Sequence, residues 1–241
     1  MSIINSILSR IITPNTHSNE AFLKYLRNHG VVIGKNTRFI YPRKCHIDIH
    51  RAKYITIGDN CCLSQVKILA HDYSWYVLKE VYDDILPDPG GAVKIGNNCF
   101  IGYETCILKG TNIGDNVIIG ARSVVKGSIP SNSVWAGIPA KQISTLEDYY
   151  KKKKSEELTS LALQKSKLEE RNNNTIDIPS YGWFALYFLQ RSAENYNKYI
   201  KHLAFNGITD DERIRKFFFA TNPIFNGYQD FLEKIDKLLL N

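Results

Sequence analysis

The feature that most constrains the fold of this 241-residue chain is an unbroken six-residue repeat of aliphatic side chains. The repeated residues are Ile95, Ile101, Ile107, Ile113, Ile119 and Val125. An amphipathic helix repeats every 3.6 residues and a half-buried strand every two, so neither element produces this spacing. A period of six predicts a β-helix, in which each repeat supplies one short strand and one corner.

Two further places in the repeat refine this prediction. Glycine often follows the aliphatic residue, as at Gly96, and we expect it to give the corner its backbone freedom. The fifth place is mostly small or β-branched, and we expect it to point inward and stack on the next coil. Its members are Cys99, Thr105, Thr111, Val117 and Ser123. The same frame extends upstream through Ile33, Ile57, Leu63 and Leu69, which makes Cys61 and Cys99 predicted core residues.

Residues 1–30 are predicted to form an N-terminal helical cap. An apolar helical stripe runs over residues 3–12 and ends at Pro14, and a second helix is predicted over residues 18–28 with Gly30 as its stop. We expect the stripe to cap the β-helix, with peripheral contact to a membrane surface as the alternative.

Residues 144–241 are predicted to form a C-terminal helical domain. Ser144 and Glu147 have the spacing of a capping box at its start. The segment is rich in aromatic residues, and a small helical domain needs most of them for its core. Helices are predicted over residues 144–171, 181–203, 210–219 and 227–240.

The distribution of charge along the chain favours an anionic ligand and argues against a nucleic acid partner. The first 144 residues hold 16 Lys/Arg against 10 Asp/Glu and so carry nearly all of the net charge of +7. This excess would attract an anionic ligand such as a phosphorylated cofactor. The basic run Lys151–Lys154 has acidic neighbours on both sides, so we interpret it as a solvated helical face and expect no nucleic acid partner.

The expected location is the cytoplasm. No apolar run approaches the about 20 residues of a transmembrane helix, and the N-terminus lacks the pattern of a secretory signal. Five cysteines without a CxxC pair fit a reducing compartment better than a disulfide framework.

The six-residue frame breaks just after His71. Counted from Leu69, His71 takes an outward-facing place, which favours a functional histidine over one packed in the core. The repeat resumes at Ile95, two positions later than four whole repeats counted from Leu69, so residues 72–92 are predicted to leave the β-helix as an excursion loop. Its aromatic and acidic side chains would suit a sugar ring, although a loop that packs against a neighbouring subunit would have the same composition.

Four segments resemble the hexapeptide-repeat acyltransferases, most closely the bacterial sugar and polysaccharide O-acetyltransferases and the xenobiotic acetyltransferases. They are VKIGNNCFIG at 93–102, ILKGTNIGDN at 107–116, IGA at 119–121 and AGIPAK at 136–141. The resemblance covers about residues 31–143. It implies a mainly β fold built on a left-handed, three-sided parallel β-helix, with three of the six-residue repeats in each coil. It also implies acetyl-CoA as cosubstrate and a homotrimer with active sites between subunits.

The resemblance also implies roles for individual residues. His71 would be the general base, because imidazole can take a hydroxyl proton near neutral pH. The backbone N–H of Tyr103 would stabilise the oxyanion of the tetrahedral intermediate. Asp72, Trp75 and Tyr76 are candidates for binding the acceptor. The implied cofactor-binding residues are Phe100, Gly102, Tyr103, Ala121, Lys126 and Lys141.

The function predicted from the sequence is acetyl transfer from acetyl-CoA to a sugar hydroxyl, on a bacterial cell-surface polysaccharide precursor. An aminosugar N-acetyltransferase or a xenobiotic acetyltransferase is the alternative, and a non-catalytic scaffold is a further one. A γ-carbonic-anhydrase-like enzyme would need zinc held by His46, His50 and His71. Because the separation of His50 and His71 exceeds one coil of three repeats, we expect them not to stack, and no metal is predicted.

Overall fold

The computed structural model of the protein describes residues 14–86, 88–171, 177–200, 211–235 and 237. The apolar stripe predicted over residues 3–12 lies outside these residues. The chain divides into two compact units, Met1–Tyr150 and Lys151–Asn241.

The first unit is a three-sided parallel β-helix. Its strands are β1 (Val32–Ile33), β2 (Arg38–Ile40), β3 (His46–Ile47), β4 (Ile55–Ile57), β5 (Cys62–Ser64), β6 (Lys67–Ile68), β7 (Val93–Ile95), β8 (Phe100–Ile101), β9 (Cys106–Ile107), β10 (Asn112–Ile113), β11 (Ile118–Ile119), β12 (Val124–Val125), β13 (Ser128–Ile129), β14 (Ser133–Gly137) and β15 (Ala140–Thr145). Face 1 contains β1-β4-β7-β10-β13, face 2 contains β2-β5-β8-β11-β14-β15, and face 3 contains β3-β6-β9-β12. The chain visits the three faces in turn, so each coil stacks on the one before.

The strand register confirms the predicted core. Ile95 lies beside Ile113, and Ile101 lies beside Ile119, so each of these coils contains three of the six-residue repeats. The six repeated aliphatic residues are all buried, as are the small residues predicted to point inward, including Cys61 and Cys99.

The frame predicted at Leu69 is wrong by one residue. Leu63 pairs with Ile101, and Ile68 pairs with Ile107, so Ile68 takes the inward place one position earlier than the repeat requires. The corner between Leu63 and Ile68, at Gln65, is one residue shorter than the corners of the regular repeats. Ile68 is therefore fully buried, whereas Leu69 is only half-buried.

The role predicted for the repeat glycines is also wrong. Gly96 is not in the left-handed region, and it is needed because an added Cβ would lie 2.6 Å from the Gly114 carbonyl oxygen of the next coil. At the corners between face 1 and face 2 the left-handed residue is an asparagine, as at Asn98 with φ 56°, a conformation that asparagine tolerates. Asparagine side chains in successive coils donate to one another at 2.9–3.2 Å. They are Asn36, Asn60, Asn98, Asn116 and Asn132.

The helix predicted over residues 18–28 is confirmed as α1 (Asn19–Asn28). The Ser18 hydroxyl accepts from the Ala21 N–H at 3.1 Å, and Gly30 follows the helix with φ 103°. Phe22 and Leu26 of this helix are buried in the same core cluster as the β-helix aliphatics.

The excursion contains a helix of its own, α2 (Trp75–Tyr82), none of whose residues is buried. The chain rejoins the β-helix where the Gly91 N–H donates to the Ala70 carbonyl at 2.9 Å.

The last two strands of the β-helix unit, β14 and β15, pair antiparallel. They form a hairpin that was not predicted from the sequence.

Helices continue after the hairpin with α3 (Leu146–Ser155) and α4 (Glu157–Arg171). The predicted capping box at Ser144 is wrong by one residue, because the Thr145 hydroxyl accepts from the Asp148 N–H at 3.1 Å. The helix predicted over residues 181–203 is also broken. A 3-10 helix covers Ile178–Tyr187 but is interrupted at Gly182, which has φ 54° and ψ −128°.

Short helical segments complete the second unit. They are α5 (Ala193–Asn195), a π-helix over Tyr196–Ile200, α6 (Asp211–Ala220) and α7 (Tyr228–Ile235). Aromatic burial in this unit agrees with the prediction, since Tyr181, Phe188 and Phe231 are fully buried with ring centroids 4.7–5.4 Å apart. Across the described part of the chain, no helix combines the length and apolar character needed to cross a membrane.

Candidate active site

His71 lies at the edge between face 3 and face 1, where the chain leaves the β-helix. Its Nδ1 is hydrogen-bonded to Oδ2 of Asp48, and its ring meets that of Tyr73 edge to face at 4.6 Å. The His71 side chain is 19% exposed, whereas that of Asp48 is 1% exposed. The pair therefore joins a buried carboxylate to an imidazole that solvent can reach.

The contacts of Asp48 determine which nitrogen of His71 carries the proton. Oδ1 accepts from the Arg51 N–H at 3.3 Å, and Oδ2 accepts from the Ala70 N–H at 3.1 Å. A carboxylate that already faces two N–H donors accepts from the imidazole as well, so Nδ1 is the donor. His71 Nε2 is left as the nitrogen that can take a proton.

Asp48 is not among the residues predicted from the sequence, because the coil that contains it is longer than three repeats. His46 pairs with Lys67, and Ile47 pairs with Ile68, so this coil exceeds the regular length of three repeats. A 3-10 turn over Ile49–Tyr54, between β3 and β4, contains the additional residues. Only a count that included this turn could have matched Asp48 with the corner that holds His71.

The prediction that His50 and His71 do not stack is wrong, because the coil at this level is longer than three repeats. Their separation equals one full turn of the β-helix at this level, and both histidines line one cleft. His46 points outward from β3 and does not line it. Within the described ranges, no group of three or more His, Cys, Asp or Glu side chains is arranged to hold a metal ion.

The cleft beside His71 has a volume of about 510 Å³ and combines charged, aromatic and aliphatic walls. Its lining residues are His50, Arg51, His71, Asp72, Tyr73, Trp75, Ile85, Leu86 and Asp88. Two of the three candidate acceptor residues, Asp72 and Trp75, are thus in the cleft. Tyr76 is not part of the lining and is 63% exposed, with its ring 6.1 Å from that of Trp75.

Lys109 fastens both ends of the excursion to the β-helix. Its Nζ forms an ion pair with Asp72 and another with Asp88, the latter at 2.8 Å. The Asp88 carboxylate also accepts from the N–H groups of Asp72 and Gly90, at 2.8 and 3.0 Å. The Asp72 oxygen that does not face Lys109 accepts from the hydroxyl and N–H of Ser74.

The Lys109 ammonium lowers the pKa values of both carboxyl groups. Its hydrogen bond is the largest cause of the lowered pKa of Asp72, and it brings the pKa of Asp88 down to about 2. A carboxylate with a lowered pKa in the folded state stabilises that state above its ordinary pKa of about 4, and this contribution is lost as the pH falls towards 2. The attachment of the loop should therefore persist at pH 4 and weaken near pH 2.

Replacing Lys109 with methionine should return the pKa of Asp88 towards about 4, leaving only the shift due to its two backbone donors. NMR titration of the aspartate carboxyl carbons measures this change directly. Lys94→Met is the matched control, because Lys94 points outward from β7 and should leave the pKa of Asp88 at its wild-type value. An unchanged Asp88 titration in Lys109→Met would contradict the assignment.

The residues implied to contact the cofactor lie mainly at another edge, between face 2 and face 3. Gly102 and Ala121 meet there so closely that a Cβ on Gly102 would lie 2.5 Å from the Ala121 nitrogen. The Tyr103 carbonyl accepts from the Arg122 N–H at 2.7 Å, while its own N–H has no backbone partner among the described residues. Phe100 is 44% exposed on β8 beside them.

The two candidate cofactor lysines are exposed and lie apart. Lys126 follows β12 on the same edge as His71, and Lys141 lies in β15 beside Ala136. Within one protomer the predicted site residues are therefore divided between two edges. His71 and the cleft lie at one edge, and the Gly102–Tyr103 corner lies at the other.

Comparison with known proteins agrees with this architecture. A family model described as "Bacterial transferase hexapeptide (six repeats)" matches residues 92–127. The chain is 38% identical over 105 residues to WbbJ of Escherichia coli strain K12, whose name gives it provisionally as a lipopolysaccharide biosynthesis O-acetyl transferase. It is 34% identical over 125 residues to the protein CapG of Staphylococcus aureus.

These matches cover 41% of this chain and 54% of WbbJ, and 52% of this chain and 71% of CapG. The chain belongs to the hexapeptide-repeat transferase family. It spans about half the length of WbbJ. A solved structure of a galactoside acetyltransferase in complex with coenzyme A aligns with a TM-score of 0.42 and 26% identity, over 61% of this chain and 82% of that chain.

Proposed function

We propose that this protein transfers an acetyl group from acetyl-CoA to a hydroxyl group of a sugar. The observation that carries the proposal is the Asp48–His71 pair at the cleft of a hexapeptide-repeat β-helix, in which Nε2 of the imidazole has no hydrogen-bond partner among the described residues. Acyl transfer to a hydroxyl requires such a base, because a neutral hydroxyl is a poor nucleophile until its proton is removed.

In this mechanism the acceptor oxygen attacks the thioester carbonyl carbon while His71 Nε2 takes the hydroxyl proton. The imidazolium that forms is stabilised by the Asp48 carboxylate, which keeps the ring in place. When the tetrahedral intermediate collapses, the carbon–sulfur bond breaks and the imidazolium returns its proton to the departing thiolate. The products are the acetyl ester and free coenzyme A, and no acyl-enzyme is formed.

The oxyanion of that intermediate needs a preorganised donor, and we assign this role to the Tyr103 N–H. Its lack of a backbone partner among the described residues supports the assignment. Because His71 and Tyr103 lie at different edges of one β-helix, we propose that a site is completed by two subunits of a homotrimer. Sedimentation equilibrium should then give about three chain masses.

The pantetheine arm of coenzyme A would lie against Phe100, Gly102 and Ala121, of which Phe100 and Ala121 are exposed. Lys126 and Lys141 would reach its phosphates. We further propose that the β-helix is left-handed, and that residues 1–30, 31–143 and 144–241 act as cap, catalytic domain and helical appendage.

For the acceptor we propose a precursor of a bacterial cell-surface polysaccharide, modified in the cytoplasm where acetyl-CoA is made. The name of the related WbbJ points to this class of substrate. Trp75 would offer an aromatic face to the sugar ring from the cleft wall, which also contains Asp72, and Tyr76 would support the Trp75 ring from outside the cleft.

A thiol-release assay tests the proposal. Acetyl-CoA is incubated with the protein and a panel of neutral sugars, acidic sugars, aminosugars and chloramphenicol, and free coenzyme A is followed with a thiol reagent. The expected result is release that depends on a sugar hydroxyl and yields an O-acetyl product by mass spectrometry. Release that occurs only with an amino acceptor, or with none of the panel, would refute the proposed activity.

A further inference from the structure

Arg51 is a charged residue of the cleft to which the mechanism gives no task. It lies in the 3-10 helix Ile49–Tyr54, which begins after Asp48. The Arg51 N–H donates to Oδ1 of Asp48, the carboxylate that also holds His71. One buried side chain therefore positions both the imidazole and the backbone that carries this guanidinium.

The guanidinium of Arg51 has a neutral partner. Nη2 donates to the backbone carbonyl of Asp88 at 3.2 Å, and the guanidinium carbon lies 5.9 Å from the centre of the Tyr54 ring. None of the ion pairs between described residues involves Arg51. A guanidinium has five N–H donors in a planar fork, so most of its capacity for binding oxygen atoms remains available.

The acidic residues of the cleft, unlike Arg51, have an oppositely charged partner. Asp72 and Asp88 both pair with Lys109, and their remaining bonds go to Ser74 and to loop N–H groups. These two carboxylates, Lys109 and Arg51 together have no net charge. Of these four groups, only the guanidinium lacks an oppositely charged partner within the described structure.

We infer that Arg51 determines acceptor specificity and that the acceptor carries an anionic oxygen group, either the carboxylate of an acidic sugar or the phosphate of a sugar phosphate. A bidentate pair between the guanidinium and such a group would fix the acceptor at two points and so orient one hydroxyl towards His71. This inference rests on the proposed acetyl transfer. Arg51 is a binding residue here and takes no part in proton transfer.

The test compares three acceptors that share one ring: methyl galactoside, methyl galacturonide and galactose 1-phosphate. In the wild type we expect kcat/KM for one charged acceptor to exceed that for the neutral one by about tenfold or more. The charged acceptor that is preferred identifies the carboxylate or the phosphate. In Arg51→Gln this preference should disappear, because kcat/KM for the charged acceptor falls to the level of that for the neutral one, while KM for acetyl-CoA stays within about twofold.

Arg51→Lys separates charge from geometry, because it keeps the positive charge and loses the planar fork. It should recover part of the preference, and recovery would show that Arg51→Gln had not simply damaged the cleft. An equal loss for charged and neutral acceptors in both variants would instead assign Arg51 to holding the loop through the Asp88 carbonyl. An increased KM for acetyl-CoA would assign it to the cofactor. Either result overturns the inference.

The inference and the proposed function can fail separately. If neutral sugars are acetylated and charged ones are not preferred, the acetyltransferase proposal survives and the role of Arg51 is rejected. If no acceptor is turned over, saturation-transfer NMR with the same three sugars still tests Arg51. Binding of a charged sugar that is lost in Arg51→Gln supports the inference, and binding that is equal in both proteins rejects it.

Discussion

Replacing His71 with alanine is expected to lower kcat for acetyl transfer by about 10²–10⁴-fold, because the acceptor hydroxyl loses the group that takes its proton. The affinity for acetyl-CoA should stay within about twofold of the wild-type value, since His71 acts on the acceptor hydroxyl and is not among the implied cofactor-binding residues. Steady-state thiol release measures the first quantity, and isothermal titration calorimetry measures the second. Added imidazole should restore part of the lost rate.

His29→Ala is the matched control for this experiment. The His29 ring bonds to the carbonyl of Tyr25 at 2.8 Å in the turn after α1, away from the cleft. This variant should retain wild-type kcat. Equal rates for His71→Ala and the wild type would remove His71 from the mechanism, and with it the direct-attack scheme.

Replacing Asp48 with asparagine is expected to lower kcat by up to about 10⁴-fold, although the substitution hardly changes the shape of the side chain. An amide can present its NH₂ group to His71 Nδ1, which favours the tautomer protonated on Nε2. That tautomer cannot take the acceptor proton. The amide also has no negative charge with which to stabilise the imidazolium.

A loss of folding must be separated from this effect, because Asp48 also accepts from two backbone N–H groups. Asp59→Asn makes the same chemical change at another corner, where the carboxylate accepts from the Lys35 N–H at 2.7 Å. We expect both variants to unfold within a few degrees of the wild type and only Asp48→Asn to lose activity. If both lost activity equally, the effect would be structural.

Much of the β-helix could be predicted because its period is a local property of the chain. Ile95 and Ile101 face inward as the six-residue spacing requires, and Cys99 fills the small inward place between them. The predicted register was wrong at Leu69, because the preceding corner is one residue shorter than in the regular repeats. It could not place Asp48, because the coil that contains it is longer than three repeats. Such changes in length leave no periodic signal, so residues beyond them are placed out of register.

The glycine and asparagine corners show a second limit. A glycine that follows an aliphatic residue is equally consistent with a flexible corner and with a point of close approach between coils. At Gly96 the close approach applies, because the neighbouring backbone leaves no space for a Cβ. Only the stacked coils reveal this, since the atoms involved belong to the next coil.

The amino-acid sequence was sufficient to establish the β-helix, the place where the chain leaves it and the choice of His71 as the candidate base. Three-dimensional contacts were needed to show that Asp48 holds that histidine, that Lys109 fastens the excursion and that Arg51 faces the cleft. The physical reason is the separation of the residues along the chain. The six-residue period can be recognised from residues that are close in sequence, whereas each of these contacts joins groups that are distant in sequence and meet only when the coils stack.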